Sequence, residues 1–181
     1  MKFYPTELQG ACIIDPDLFQ DERGFFARTF CREEFQQHGL SPDMIQCNIS
    51  FNKLKGTLRG MHFQLAPHGE GKLVRCTRGA IYDVIIDLRP TSKTHLKWIV
   101  VELTEENRKM LYIPEGFAHG FQTLQDNTEV FYQMTSTFVA QAARGIRWND
   151  SSLNIQWPSV PTMISEKDQS YPDYQESLQT I

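Results

Sequence analysis

The stretch Ala80-Ile-Tyr-Asp-Val-Ile-Ile-Asp-Leu88 decides the fold class. Side chains alternate across a strand with a period of two. Ala80, Tyr82, Val84, Ile86 and Leu88 therefore fall on one face, and Ile81, Asp83, Ile85 and Asp87 on the other. The first face is wholly apolar, as a strand packed on a core requires. Further runs at Lys97–Leu103, Phe117–Phe121 and Glu129–Thr135 are rich in β-branched and aromatic residues, which suit the pleated, half-buried surface of a sheet. Turn signals separate them at Arg78-Gly79, Arg89-Pro90, Pro114-Glu-Gly116, Gln125-Asp-Asn127 and Arg144-Gly145. Helical periodicity is confined to Arg32–His38, ended by Gly39, and to the tail after Ser165. Many short strands divided by Gly and Pro turns predict an all-β sandwich or jelly roll rather than alternating βαβ units.

The 181 residues fit one domain, 1–181, without internal repeat or linker; a chain of this size buries roughly 70% of its unfolded surface. The polar end from Pro172 onward is expected to fray. Four cysteines, at 12, 31, 47 and 76, show no C-x-x-C pair or zinc spacing and are expected to be reduced thiols. The N-terminal Met-Lys-Phe-Tyr-Pro-Thr-Glu has no apolar signal core, and Val84-Ile85-Ile86 is far too short to cross a bilayer. A soluble, cytoplasmic protein is expected, with no membrane partner. A net charge of −4 argues against a nucleic-acid surface. Arg23, Arg28, Arg59, Lys72 and Arg75 are scattered rather than clustered, and read either as solvated surface or as local holders of one small anion.

The chemistry concentrates in Gly56-Thr-Leu-Arg-Gly-Met-His-Phe-Gln64, in Glu70-Gly-Lys72 and in Pro114-Glu-Gly-Phe-Ala-His-Gly-Phe121. Arg59 and His62 are three residues apart, which in a regular strand puts them on opposite faces; a bulge at Gly60 brings both to one side. Taken alone, His62 reads as a satisfied core histidine. Arg59 and Lys72 nearby favour a second reading, a general base beside an anionic ligand. A metal-binding cupin would present H-x-H followed by Glu, whereas this chain has His62-Phe-Gln64 with His119 far along the sequence; no metal and no cofactor are expected. Ser165-Glu-Lys-Asp168 has the shape of a helix capping box. Asp168 either serves that cap or accepts the N–H of an imidazole and so fixes its tautomer. Tyr132 is either core or a strand tyrosine that faces the pocket and donates a proton.

With these residues gathered, the chain resembles the dTDP-4-dehydrorhamnose 3,5-epimerase family over nearly its whole length. The resemblance rests on Asp21-Glu-Arg-Gly-Phe25, Gln46-Cys-Asn48, Leu58–Gln64, Lys72-Leu-Val-Arg75, Asp83–Arg89, Ile113–Phe121, Trp148-Asn-Asp150 and Ser165–Asp168. It implies a cupin-type jelly roll (a double-stranded β-helix) with a few short helices, a homodimer that exchanges N-terminal strands, and epimerisation of a nucleotide-sugar substrate without a metal. By the same resemblance His62 would be the base, Asp168 its hydrogen-bond partner, Tyr132 the acid on the opposite face and Lys72 the cation at the enolate oxygen. Arg59 and His119 would hold diphosphate and sugar, while Arg23, Gln46 and Asn48 complete the nucleotide site with Lys167 near it. Two positions depart from the family pattern: Arg28, and Ala143-Arg144, stand where many members carry glutamate. Exchanging carboxylate for cation bears on base or phosphate recognition, so Arg28 is counted with the substrate-binding set. Inversion of one carbon only, a CDP-linked substrate, and a silent sugar-nucleotide-binding cupin remain the alternatives.

Overall fold

The computed structural model describes residues 1–174; the end of the polar tail, 175–181, lies outside the described residues. The strands are, in chain order, β1 (Lys2–Pro5), β2 (Cys12–Asp15), β3 (Leu18–Asp21), β4 (Gly24–Ala27), β5 (Gln46–Asn52), β6 (Thr57–Gln64) and β7 (Lys72–Arg78). They continue with β8 (Ala80–Asp87), β9 (Trp98–Thr104), β10 (Met110–Ile113), β11 (Phe117–Thr123), β12 (Thr128–Met134), β13 (Ala143–Gly145) and β14 (Met163–Ile164). Two short helices join them, α1 (Arg32–Gln37) and α2 (Glu166–Gln169). One sheet runs β1-β2-β10-β7-β12-β5 and the other β13-β6-β11-β8-β9, with β14 added parallel to β6. The two sheets face each other as the jelly roll expected from the sequence, and β3–β4 forms a separate two-stranded hairpin.

The interior between the sheets is built from alternate residues of facing strands: Val74 and Cys76 of β7, Leu111 and Ile113 of β10 and Val130 of β12 meet Ile81 and Ile85 of β8 and Phe117 and Phe121 of β11. Each such fully buried side chain contributes about 1.5–3 kcal/mol relative to exposure. The strand that opened the sequence reading is formed as expected, but its faces carry different duties. The wholly apolar face points outward, where Val84 and Ile86 pack under Ile146, Leu153, Ile155 and Tyr174 of the C-terminal segment. The face with two aspartates is the interior one, so Asp83 and Asp87 are fully buried. Burial alone would raise the Asp87 carboxyl, yet hydrogen bonds from Arg89, Ser92 and Thr94 hold it far below the carboxylate range. Asp83 is instead available to the site described below.

α1 lies on the outer surface of the first sheet, fixed by Phe35 among Ile14, Leu73, Met110 and Tyr112. β1 and β2 pair with their own sheet. The part of the N-terminal region that stands apart is the β3–β4 hairpin, all of whose strand residues except Ala27 are exposed.

Candidate active site

The site grows from an irregularity in β6. Arg59 pairs with Phe121 and His62 with His119, so three steps on β6 match two on β11. The extra residue is the bulge, and it turns Arg59 and His62 into the same space. Gly60 makes it possible. Its φ is +140°, and a Cβ there would sit 2.5 Å from the Cα of Gly120 on the neighbouring strand.

Asp168 anchors the imidazole. Its Oδ1 lies 2.8 Å from His62 Nε2, and its Oδ2 accepts the Gly60 N–H at 3.2 Å. Burial pushes the Asp168 carboxyl up, but hydrogen bonding and charge from His62, with the Gly60 and Ser165 contacts, outweigh it and hold the group below the ordinary carboxylate value. An ionised carboxylate only accepts, so Nε2 carries the proton and Nδ1 is left with its lone pair free. Only the serine half of the capping box forms: Ser165 Oγ accepts the Asp168 N–H at 3.0 Å, while the Asp168 carboxylate faces the imidazole instead of the cap.

Around His62 opens a cleft with two lobes of about 350 and 310 Å³. His62, Lys72 and Tyr132 line both lobes and so mark their junction. His62 projects from one sheet and the other two from the facing sheet, so the imidazole and the phenol stand on opposite walls. Burial first, then the Glu70 charge, raises the Tyr132 phenol, against a smaller opposing effect of Arg59; the hydroxyl is fully protonated at neutral pH. Lys72 is buried in an ion pair with Glu70 at 2.7 Å. One Glu70 oxygen has no hydrogen-bond partner.

Most of the expected residues come together here. Arg59 and His119 line one lobe; Gln46, Asn48 and Lys167 line the other. Gln46 and Asn48 share the inward face of β5, and Gln46 Oε1 accepts the Phe138 N–H at 3.0 Å, holding an aromatic ring that lines the same lobe. Arg23 and Arg28 are not brought to the cleft of their own chain. Arg23, in the hairpin turn, is 89% exposed and paired with Asp21, and Arg28 pairs with Glu34 at 3.0 Å.

Sequence reasoning assigned no role to Glu70, Asp83 or Asn52. Asp83 Oδ1 accepts from His119 Nε2 at 2.7 Å, a second imidazole–carboxylate pair buried between the sheets. Asn52 Oδ1 accepts Arg59 Nε–H at 2.7 Å and fixes the guanidinium. A signal for Asp83 exists only once its strand face is known to be interior, where a buried acid demands a partner. Ala143 and Arg144, the departure from the family pattern, also line the cleft, with Arg144 Nη1 donating to the carbonyls of Gln141 and Ala143 at 2.8 and 2.9 Å. Among the described residues no three His, Cys, Asp or Glu side chains converge as a metal cluster.

The family model described as dTDP-4-dehydrorhamnose 3,5-epimerase matches residues 5–176. The chain belongs to the dTDP-4-dehydrorhamnose 3,5-epimerase family. A dTDP-4-dehydrorhamnose 3,5-epimerase of Sinorhizobium fredii is 42% identical over 95% of this chain and 89% of the relative. The structure of the Legionella pneumophila 3,5-epimerase in complex with dTDP-4-keto-L-rhamnose superposes with a TM-score of 0.89, 33% identity and coverage of 95% of this chain and 92% of that one. A 3'-monoepimerase from Streptomyces bikiniensis, in complex with dTDP-quinovose, shares the fold at a TM-score of 0.89 and 28% identity, covering 98% and 89%. Members of this family are isomerases, and the cupin-type jelly roll implied by the sequence is the fold they share with this chain.

Proposed function

We propose that this protein inverts C3 and C5 of a dTDP-linked 4-keto-6-deoxyhexose, converting the D-xylo-configured sugar to the L-lyxo one. The observation that carries the reading is the placement of His62 and Tyr132 on opposite walls of one cleft. A ketone at C4 acidifies both flanking C–H bonds, and inversion needs a base on one face and an acid on the other. His62 Nδ1 takes the proton, the electron pair of the broken C–H bond moves onto O4, and the buried Lys72 ammonium stabilises that enolate oxygen. Tyr132 then delivers its hydroxyl proton to the same carbon from the far side. Imidazolium and phenolate return to their starting states through solvent. Arg59, fixed by Asn52, is suited to grip the diphosphate, so that remote binding energy positions the reacting carbon.

Proton NMR of the protein with dTDP-4-keto-6-deoxyglucose in heavy water tests this, with deuterium expected at both C3 and C5. Incorporation at one carbon would make it a single-centre epimerase, as the 3'-monoepimerase neighbour is described. Exchange with a CDP-linked analogue and none with the dTDP sugar would replace the nucleotide. No exchange with either would leave a binding protein.

The working unit we infer is a cytoplasmic homodimer. The hairpin exposes Phe19 and Phe26 at 65% and 71%, and β5 exposes Ile49 at 64%, apolar surface that a second copy would cover. The same pairing would carry Arg23 toward the cleft of a second copy. Sedimentation equilibrium is expected to give twice the chain mass, and Phe19→Asp with Phe26→Asp to give a monomer; a wild-type monomer would remove the proposal.

A further inference from the structure

Glu70 is out of place on electrostatic grounds. Of the side chains that line the two lobes of the cleft, it is the one acid among the described residues. Arg59 and His62 of β6, His119 of β11, Arg144 of β13 and Lys167 of α2 bring basic groups there, and Tyr132 and Tyr171 bring phenols. The two carboxylates behind the walls are already taken, Asp168 by His62 and Asp83 by His119. A ligand that carries a diphosphate gains nothing from a further negative charge in this space.

The loop that carries it is fastened to the C-terminal end of β12. The Gly71 N–H donates to Thr135 Oγ1 at 2.7 Å, the Gly71 carbonyl accepts the Thr135 N–H at 2.9 Å, and the Gly69 carbonyl accepts the Ser136 hydroxyl at 2.9 Å. So anchored, the Glu70 carboxylate meets the Lys72 ammonium at 2.7 Å, with the two side chains 7% and 9% exposed within a single chain. Little of either is left for a second copy to reach. A buried acid kept for the fold would engage both oxygens with backbone N–H groups. Glu70 instead gives one oxygen to Lys72, and the other, closed off from solvent, has no partner. Among the described residues the ammonium is thus the one group this carboxylate serves.

We propose, on the reading of Lys72 given above, that Glu70 is a positioning residue of the epimerase: the resident counter-ion that keeps Lys72 an ammonium and fixes it on the wall where the enolate oxygen forms. A lone ammonium taken out of water sheds its proton rather than bear the desolvation, and a neutral amine has no charge to offer O4. The carboxylate offsets part of that charge, yet an ammonium in contact with O4 acts at shorter range than the acid behind it, so the pair still favours the enolate. Burial first, and the Glu70 charge after it, also keep the Tyr132 phenol protonated. One acid thereby holds two groups in the charge states the reaction starts from.

The test is the rate of deuterium entry at C3 and C5 from heavy water, at saturating dTDP-4-keto-6-deoxyglucose, in the wild type, Glu70→Gln, Lys72→Met and the double variant, from about pH 6 to about pH 9. Glutamine keeps the size of the side chain and removes its charge. Glu70→Gln is expected to lower the rate less than about threefold at the acid end of the range and about tenfold or more at the alkaline end, because an amine without its counter-ion loses its proton as pH rises. Lys72→Met itself lowers the rate by about 10²–10³-fold, and adding Glu70→Gln to it is expected to lower it no further at any pH. A loss of equal size in both backgrounds would overturn the proposal and leave Glu70 acting on the fold or on Tyr132. So would a loss from Glu70→Gln that is the same at both ends of the range, zero included. A wild type that takes up no deuterium would remove the epimerase reading itself, and the role of Glu70 with it.

Discussion

His62→Ala is expected to lower epimerase turnover by about 10³-fold while leaving affinity for dTDP within a few fold. The expectation follows from where the proton sits. Asp168 accepts from Nε2 at 2.8 Å, so the lone pair on Nδ1 is the one base the pair can offer the substrate. Removing the ring removes that base and leaves Asp168 still held by the Gly60 N–H, so the bulge keeps a partner. The lobe proposed to take the nucleotide is lined by Gln46, Asn48, Phe138 and Lys167, none of which is hydrogen-bonded to the imidazole. Deuterium uptake at C3 and C5, followed beside calorimetry with dTDP, separates the two quantities. Turnover equal to wild type would sink the assignment of His62 as base.

Tyr132→Phe is expected to split two rates that run together in the wild type. Burial and the Glu70 charge keep the phenol protonated, ready to give its proton to the enolate. Without the hydroxyl, His62 still removes the substrate proton and can return solvent deuterium to the face it came from. Exchange therefore continues while net inversion falls by about 10²-fold. Phenylalanine preserves the ring that packs against the interior cluster, so the fold is little affected. If exchange and inversion fell together by the same factor, Tyr132 would be a wall of the pocket and not its acid.

The sheet framework was legible because hydrophobic alternation is a local signal. Strand β8 could be delimited within one residue, and the two helices lie where Gly39 and Ser165 mark their ends. Which face of β8 turns inward was not legible. The apolar face of Val84 and Ile86 is claimed by a segment some sixty residues later, with Ile146, Leu153 and Ile155, and no local pattern announces so distant a cover. Hence the pairing of Asp83 with His119 on the interior side is invisible in the strand's own pattern. Arg59 and His62 could be placed in one pocket because the glycine between them licenses a bulge. Asn52, which holds Arg59, carries no comparable mark, since a buried amide differs from an exposed one only in its surroundings. Arg23 matched a motif and Arg28 stood out as a departure from one, but a motif does not fix the direction in which a hairpin points.

Among the described residues the last strand ends at Ile164, yet the carboxylate that holds the His62 ring arrives four residues later, on a helix of four residues. Architecture and competence are thus encoded in different stretches of the polypeptide. A cut between Ile164 and Asp168 therefore yields a decoy that has each of these strands and lacks the partner of His62.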